Sequence, residues 1–446
     1  MSRFLKLMSV LAIVALIAVP AFAEVQNVKV SGDIDSKMIN RNNYDVGSTG
    51  TSSAADNDND TWFMTTARVQ VDADLTDNVS TCVRLLNERD WNVETNATTD
   101  IDLDLAYVKL KEMFYAPLTM TIGRQNIRLG SGLVVGDPDT NDATALTVAN
   151  GGVTAADLSA RKSFDAIRAT LDYNPLTVDL IMSKINAGTI GSGNTNDDTN
   201  LYGINAAYKF NQYNSEAEAY AIAKVNRNGD ASADAAKTDS VYVYGARGSL
   251  EPISKLVLNG EFAIQRGDYV TSTTTKRDRS AWAADAAASY AIDYKWSPKV
   301  GVGYVYRSGD KAGNTGKYKA WDTMYEDQTH GIVANYIFDG NNEGGDSNSQ
   351  IITANASVNP IQDLTVAVDY YYFALAQKLA NLSTNGDIIM TDKRALGQEV
   401  DLSLGYDYTE DVKLGLTTGW FLPGEAFSNV NDSAATTVMA DVKVSF

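Results

Sequence analysis

Short segments in which apolar and polar residues alternate recur through most of this chain, and they constrain its fold more than any other feature. The clearest examples lie in the last fifty residues, where Val400 to Tyr408, Val412 to Trp420 and Val438 to Phe446 place mostly apolar side chains at every second position. A period of two puts alternate side chains on opposite faces of a β-strand. Segments of about ten residues with one apolar face are typical of transmembrane barrel strands, although a soluble β-sandwich has similar alternation.

The connections between these segments are of two kinds that take turns along the chain. Short turns rich in Asn, Asp and Pro lie at 76–78, 116–117, 174–175, 211–214, 251–252, 297–298, 359–360 and 409–411. Long polar segments lie between them, at about 41–60, 91–99, 130–162, 188–199, 228–238, 268–279, 311–347, 376–396 and 423–433. Eight turns and nine loops predict an all-β, antiparallel transmembrane barrel of about 18 strands, with short periplasmic turns and long extracellular loops.

The N-terminus predicts secretion. Arg3 and Lys6 precede an apolar stretch at 7–19, and Ala21-Phe22-Ala23 resembles a signal-peptidase site. We therefore expect residues 1–23 to be a signal peptide and residues 24–446 to form one barrel domain. No later run of apolar residues is long enough for a transmembrane helix, so a membrane span would require a closed barrel.

Composition excludes several classes of function. Without Arg3 and Lys6, 35 basic residues face 56 acidic ones, a net charge of −21, which disfavours nucleic acid as a partner. The single cysteine, Cys82, cannot form an internal disulfide. The sequence has no nucleotide-binding fingerprint and no cysteine metal cluster, so we expect no cofactor and no metal. His330 is the only histidine, and we expect it to have a structural role in its loop rather than a catalytic one.

Three blocks of the sequence resemble the alginate-export porin family, in the family order. They are Thr121-Ile122-Gly123-Arg124-Gln125 with Leu129-Gly130 and Ser163 to Arg168; Tyr306 to Asp310 with Met324-Tyr325 and His330-Gly331; and Leu396 to Asp401 with Gly419 to Gly424. The resemblance covers about the last three quarters of the chain. It implies an 18-stranded outer-membrane channel, in agreement with the strand count.

The polar face of each predicted strand supplies candidate pore residues. We assign seven residues to a pore-lining or substrate-contacting set: Arg68, Arg84, Arg124, Arg168, Arg307, Glu399 and Asp401. Arg124 has the same phase as the apolar Ile122, so it lines the pore only if a bulge turns it inward; otherwise it lies near the membrane surface. Acidic residues outnumber basic ones among the predicted lumenal positions, which does not favour a general attraction for anions.

These features predict an outer-membrane channel for passive transport of small hydrophilic solutes or saccharides. Two alternatives remain: export of an anionic polysaccharide such as alginate, and a barrel that acts as a sheath or scaffold for a partner protein. The two longest loops, 130–162 and 311–347, are expected to fold inward, and no plug is expected from the short turns. Expected partners are outer-membrane lipid and lipopolysaccharide, an oligosaccharide or other hydrophilic solute, and the barrel-assembly machinery, which would read the terminal Phe446.

Overall fold

The computed structural model describes residues 26–44, 46, 59–91, 101–138, 156–187, 198–227, 238–272, 275–338, 346–378, 384–385, 388–389, 391–428 and 432–446. The predicted signal peptide lies outside these residues. Among them, no helix is both long and apolar enough to cross a membrane.

Eighteen antiparallel strands form one closed sheet. They are β1 (Asn27–Asn42), β2 (Asp60–Thr76), β3 (Val79–Asp90), β4 (Asp102–Lys111), β5 (Leu118–Asn126), β6 (Ser163–Asp172), β7 (Leu176–Asn186), β8 (Thr199–Phe210), β9 (Ser215–Asn226), β10 (Asp239–Ile253), β11 (Leu256–Ser272), β12 (Thr275–Ala291), β13 (Lys299–Arg307), β14 (Ser349–Ile361), β15 (Leu364–Leu375), β18 (Ala395–Asp407), β19 (Val412–Pro423) and β20 (Ala435–Ser445). A two-residue pair, β16 (Thr384–Asn385) and β17 (Ile388–Ile389), forms a separate small ladder.

The barrel closes where β1 pairs with both β2 and β20. At this seam the amide of Gly32 donates to the carbonyl of Phe446 at 2.8 Å, and the amide of Phe446 donates back at 3.0 Å. A Cβ atom on Gly32 would lie 2.7 Å from the Phe446 ring and 2.4 Å from the Arg68 carbonyl oxygen. Glycine at this position therefore leaves room for the terminal ring.

Alternation along the strands separates a lipid-facing surface from the lumen. Large apolar residues are exposed on the outer face, for example Val69 and Val71 on β2 and Val300 and Val302 on β13. Their neighbours in sequence point into the lumen, where water, ions and the barrel's own loops can satisfy polar groups. The predicted barrel and its strand count are confirmed. The long loop predicted at 268–279 is wrong, because these polar residues pair across β11 and β12 and extend that hairpin.

Two long connections fold into the barrel, as expected. One is the β5–β6 loop, described at 127–138 and 156–162, and the other is the β13–β14 loop, described at 308–338 and 346–348. The second contains the short helix α1 (Ala334–Phe338). Inside the lumen the loops pair through their backbones: Tyr325 donates to Val134 at 3.0 Å, and Gly136 donates to Tyr325 at 2.7 Å.

Apolar packing holds both loops against the lumenal wall. One cluster joins Leu133, Val134, Trp321 and Met324 of the loops to inward-facing wall residues of β6–β12. A second cluster joins the α1 region to the walls of β13–β20, with Phe338 among its members. Fully burying such a side chain stabilises by about 1.5–3 kcal/mol, so these two apolar clusters stabilise the inward position of the loops.

Candidate pore and its charged wall

Five carboxylates of the lumenal wall bind the inward loops through loop backbone amides. Glu88 accepts from Ala160 at 2.8 Å, Glu218 from Gly130 at 3.0 Å, and Glu261 from Ser131 at 2.8 Å. On the opposite side of the barrel, Glu399 accepts from Val333 and Ala334 at 2.8 and 2.7 Å, and Asp401 from Ile332 at 3.2 Å. A buried amide must find an acceptor, and these wall carboxylates provide it.

The β13–β14 loop is thereby attached to distant parts of the wall. Lys224 on β9 forms an ion pair with Asp322 of the loop at 2.5 Å, while α1 begins against Glu399 on β18. Gly331, with φ of +72°, lets the loop backbone approach Glu399 closely. A Cβ atom at this position would lie 2.6 Å from a Glu399 carboxylate oxygen. The described part of this loop therefore extends across the lumen.

Three of the seven predicted pore residues lie on the lumenal wall but are covered. Glu399 is 0% exposed and Asp401 is 4% exposed, because the β13–β14 loop lies over them. Arg307 is also 0% exposed, and it donates to Gln328 of the same loop at 2.8 Å. The alternation assigned these residues to the correct face. A loop occupies the space in front of them, and their contact with a solute stays a prediction.

Arg124 lies on the outer face of the barrel. It is in register with Ala106 on β4 and Asp165 on β6, and no bulge interrupts that pairing. Its guanidinium bonds both carboxylate oxygens of Asp165, at 3.0 and 2.7 Å. The assignment of Arg124 to the pore is therefore corrected, and the second possibility raised by its phase, a position near the membrane surface, fits its placement near the extracellular end of β5.

Arg68, Arg84 and Arg168 lie on the lumenal wall as predicted, each beside an aspartate. Arg68 forms two bonds of 2.8 Å with Asp33, Arg84 one of 2.5 Å with Asp104, and Arg168 two of 2.8 Å with Asp179. In every pair the arginine is the more exposed partner: the side-chain exposures are 23% against 14%, 16% against 0%, and 29% against 6%. We call these three the arginine row. In each pair the guanidinium, rather than the carboxylate, is therefore the group that mainly faces the lumen.

Sequence reasoning missed a cluster where the two inward loops meet. Arg128 and Lys162 of the β5–β6 loop both form ion pairs with Asp327 of the β13–β14 loop, and their side chains remain 48% and 40% exposed. The alternation pattern could not predict Arg128, Lys162 and Asp327, because it assigns side chains to a face only within strands. Lys162 directly precedes Ser163, whose hydroxyl lies 3.3 Å from Asp104, the partner of Arg84. The cluster therefore adjoins the arginine row.

The titratable groups inside the β13–β14 loop have displaced pKa values. Burial, together with the neighbouring Asp346, raises the pKa of Glu326 to about 8, against a smaller opposing effect of Arg307. Burial and the nearby Arg307 lower the pKa of His330 to about 3. His330 is therefore neutral at physiological pH. It lines a cavity of about 10 Å³ with Phe338 and Phe373, which has room for a water molecule at most.

Solved structures with the same fold are outer-membrane proteins. Pseudomonas aeruginosa OccK2 (OpdF), solved with glucuronate, has a TM-score of 0.55 at 13% identity, over 95% of this chain and 99% of that one. Acinetobacter baumannii OccAB1 gives 0.56 at 12% identity, over 95% and 98%. Pseudomonas aeruginosa OpdK gives 0.54 at 11% identity, over 95% and 100%. A search of curated proteins found no match.

A closed barrel with an apolar outer face, short turns on one side and loops folded into a polar lumen defines an outer-membrane channel. The sequence signature of the alginate export family matches residues 39–441. The chain belongs to that family, and it is located in the bacterial outer membrane.

Proposed function

We propose that this protein is a passive channel for small hydrophilic solutes, preferentially those that carry a carboxylate. The observation that carries the proposal is the β13–β14 loop, which extends across the lumen from Lys224 on β9 to Glu399 on β18. A loop held at both ends inside the barrel narrows the passage. A narrowed passage favours transport of small solutes over transport of a polymer, which needs a wide and unobstructed path.

The charges support a preference for anions. Five wall carboxylates are occupied by loop amides, whereas the arginine row stays partly exposed. These five carboxylates are thereby withdrawn from the surface that a solute meets. Charged rings of this kind tune ion selectivity in channels. OccK2 has been solved with glucuronate and OpdK with vanillate, and both ligands fit the proposed chemistry.

The test is single-channel recording of the refolded mature protein in a planar bilayer, with the reversal potential measured in a salt gradient. We expect conductance with anion preference, and block by small carboxylates. Glu399→Leu removes the acceptor for two loop amides and should raise the mean conductance and its fluctuations. Glu216→Leu is the matched control, because it removes a lumenal carboxylate whose nearest recorded partner is Arg247 at 3.9 Å. Cation preference in the wild type would contradict the proposal.

Export of an anionic polysaccharide is the second candidate, and membership of the alginate export family favours it. The arginine row would then grip successive carboxylates of the polymer. Block by long oligouronates, with little block by single uronates, would support export over uptake of small solutes.

A sheath or scaffold role is the third candidate. It is disfavoured because the barrel's own loops occupy the lumen. A correctly folded barrel that conducts no current in the bilayer would favour the scaffold role instead. We further propose that the protein catalyses no reaction, since its one histidine is enclosed beside α1. We also propose that residues 1–23 are removed on secretion. The barrel-assembly machinery would recognise the terminal Phe446.

A further inference from the structure

The lipid-facing surface of the barrel has an apolar groove. It has a volume of about 440 Å³ and lies on the outside of β6–β10, lined by outward-facing Ile167, Ala169, Leu180, Met182, Tyr202, Ile204, Ala221, Ala223, Tyr242 and Tyr244. Its floor is β9, where alanines at 217, 219, 221 and 223 occupy four consecutive outward positions. The taller side chains of β8 and β10 form its sides. Its volume is within the range of small-molecule sites.

Charged side chains lie directly above the extracellular end of this groove. Met182, which lines the groove, is followed on the same face of β7 by Lys184, roughly 7 Å further along the strand. Lys184 forms an ion pair with Asp198 at 2.5 Å, and Arg227 contacts the same carboxylate at 3.5 Å. Both cations remain exposed, with 45% and 44% of their side-chain areas accessible.

The outer-face pair Arg124–Asp165 extends this charged rim. Asp165 precedes Ile167, a groove residue, by one outward position on β6. Among the described residues the rim therefore contains three cations, Arg124, Lys184 and Arg227, against two carboxylates, Asp165 and Asp198, which leaves one net positive charge. Arg124 is already bonded to both oxygens of Asp165, so Lys184 and Arg227 are the residues with donors to offer.

We infer that this groove and rim form a binding site for a phosphorylated glycolipid of the outer leaflet, of the lipid A type. The groove faces the hydrocarbon of the membrane, where only apolar chains can fill it, and its apolar lining suits the acyl chains of such a lipid. The excess positive charge at its extracellular end is at the level of the lipid headgroups. Basic residues at this level bind anionic headgroups, so the phosphate lies against Lys184 and Arg227. This site is independent of the proposed transport function.

Native mass spectrometry of the full barrel in detergent tests the inference with purified bisphosphorylated lipid A. A dephosphorylated lipid A with the same acyl chains is the comparison ligand. We expect the wild type to retain the phosphorylated lipid preferentially. The double variant Lys184→Gln/Arg227→Gln should weaken that binding about tenfold and leave the dephosphorylated lipid unaffected. Ala221→Phe should fill the groove and weaken binding of both lipids.

Matched controls lie elsewhere on the outside of the barrel. Lys276→Gln removes a lysine that is paired with Asp268 at 2.8 Å and 47% exposed, near the extracellular end of β12. Ala286→Phe enlarges an exposed alanine on the outer face of β12, away from the groove. Both controls should bind lipid A like the wild type, and all variants should keep the wild-type conductance as evidence of folding. Equal binding by the double variant and the wild type would overturn the inference. So would a wild-type dimer that Ala221→Phe dissociates, because the groove would then hold a second copy.

Discussion

At the scale of single residues, strand alternation identified which face a side chain occupies but not what covers it. Arg68, Arg84 and Arg168 were assigned correctly because the lumenal face of a strand follows from its period. Arg307 and Glu399 have the same lumenal placement, yet they are buried, because burial depends on where a loop far away in the sequence folds. The outward position of Arg124 follows from its phase with Ile122, because no bulge turns it inward.

The pair Arg84–Asp104 provides a stability prediction. Asp104 has no exposed side-chain area and Arg84 has 16%, so removing the arginine leaves a buried carboxylate without its cation. We expect Arg84→Met to lower the free energy of unfolding by about 3–5 kcal/mol, measured by denaturant titration in lipid vesicles. Adding Asp104→Leu should recover most of that loss. The exposed pair of Lys378 with Asp392 is the control, and Lys378→Met should change stability by about 0–1 kcal/mol.

At the scale of elements, the strands and turns could be predicted from the sequence, and so could the inward folding of the two longest loops. The contacts that attach these two loops to the wall could not be predicted from the sequence. The five anchoring carboxylates resemble ordinary lumenal acids in the sequence, since nothing in a strand pattern shows that a backbone amide of another element will reach them. For the same reason the sequence could not show which lumenal acids are occupied by loop amides.

The β13–β14 loop should loosen as the pH rises. The pKa of Glu326 is raised from 4.5 to about 8 in the folded loop, so the folded form binds this proton more tightly than the released loop does. The resulting stabilisation is complete below about pH 4.5 and is lost as the pH rises through about 8. Asp346, Asp137 and Arg307 are the charged groups that face Glu326, and the single cation offsets only part of the repulsion.

Single-channel recordings between pH 5 and pH 9 can measure this effect. We expect current fluctuations to increase with pH in the wild type, and Glu326→Gln, which cannot ionise, to remain quiet across the range. His330 does not contribute within this window, because its pKa of about 3 lies below it. Fluctuations that increase equally in Glu326→Gln would assign the pH dependence to another group.

At the scale of the whole molecule, closure of the barrel depends on the contact between its two ends. The sheet extends from β1 near the N-terminus to β20 at the C-terminus, so the last strand must find the first across about four hundred residues. The alternation predicts both strands but does not predict their register. That register is marked by the reciprocal bonds between Gly32 and Phe446.

Gly32→Ala should impair closure. The added Cβ would lie 2.4 Å from the Arg68 carbonyl oxygen and 2.7 Å from the Phe446 ring, and overpacking of this kind costs about 1–3 kcal/mol. Gly405→Ala is the control, since a Cβ there meets nothing within 4 Å. Refolding yield, read from the heat-dependent shift in electrophoretic migration, should fall for the Gly32 variant alone. Equal yields for the two variants would show that the seam tolerates the added methyl group.

Each of the five wall carboxylates accepts from at least one peptide amide of a loop. Every residue except proline presents the same amide, so the loops can change their side chains without losing these attachments. The barrel therefore separates two tasks: the strands fix where the loop backbone runs, and the loop sequence sets the chemistry of the surface that a passing solute meets. New selectivities can be introduced by rewriting exposed loop positions such as Arg128 and Lys162 while the strands stay untouched.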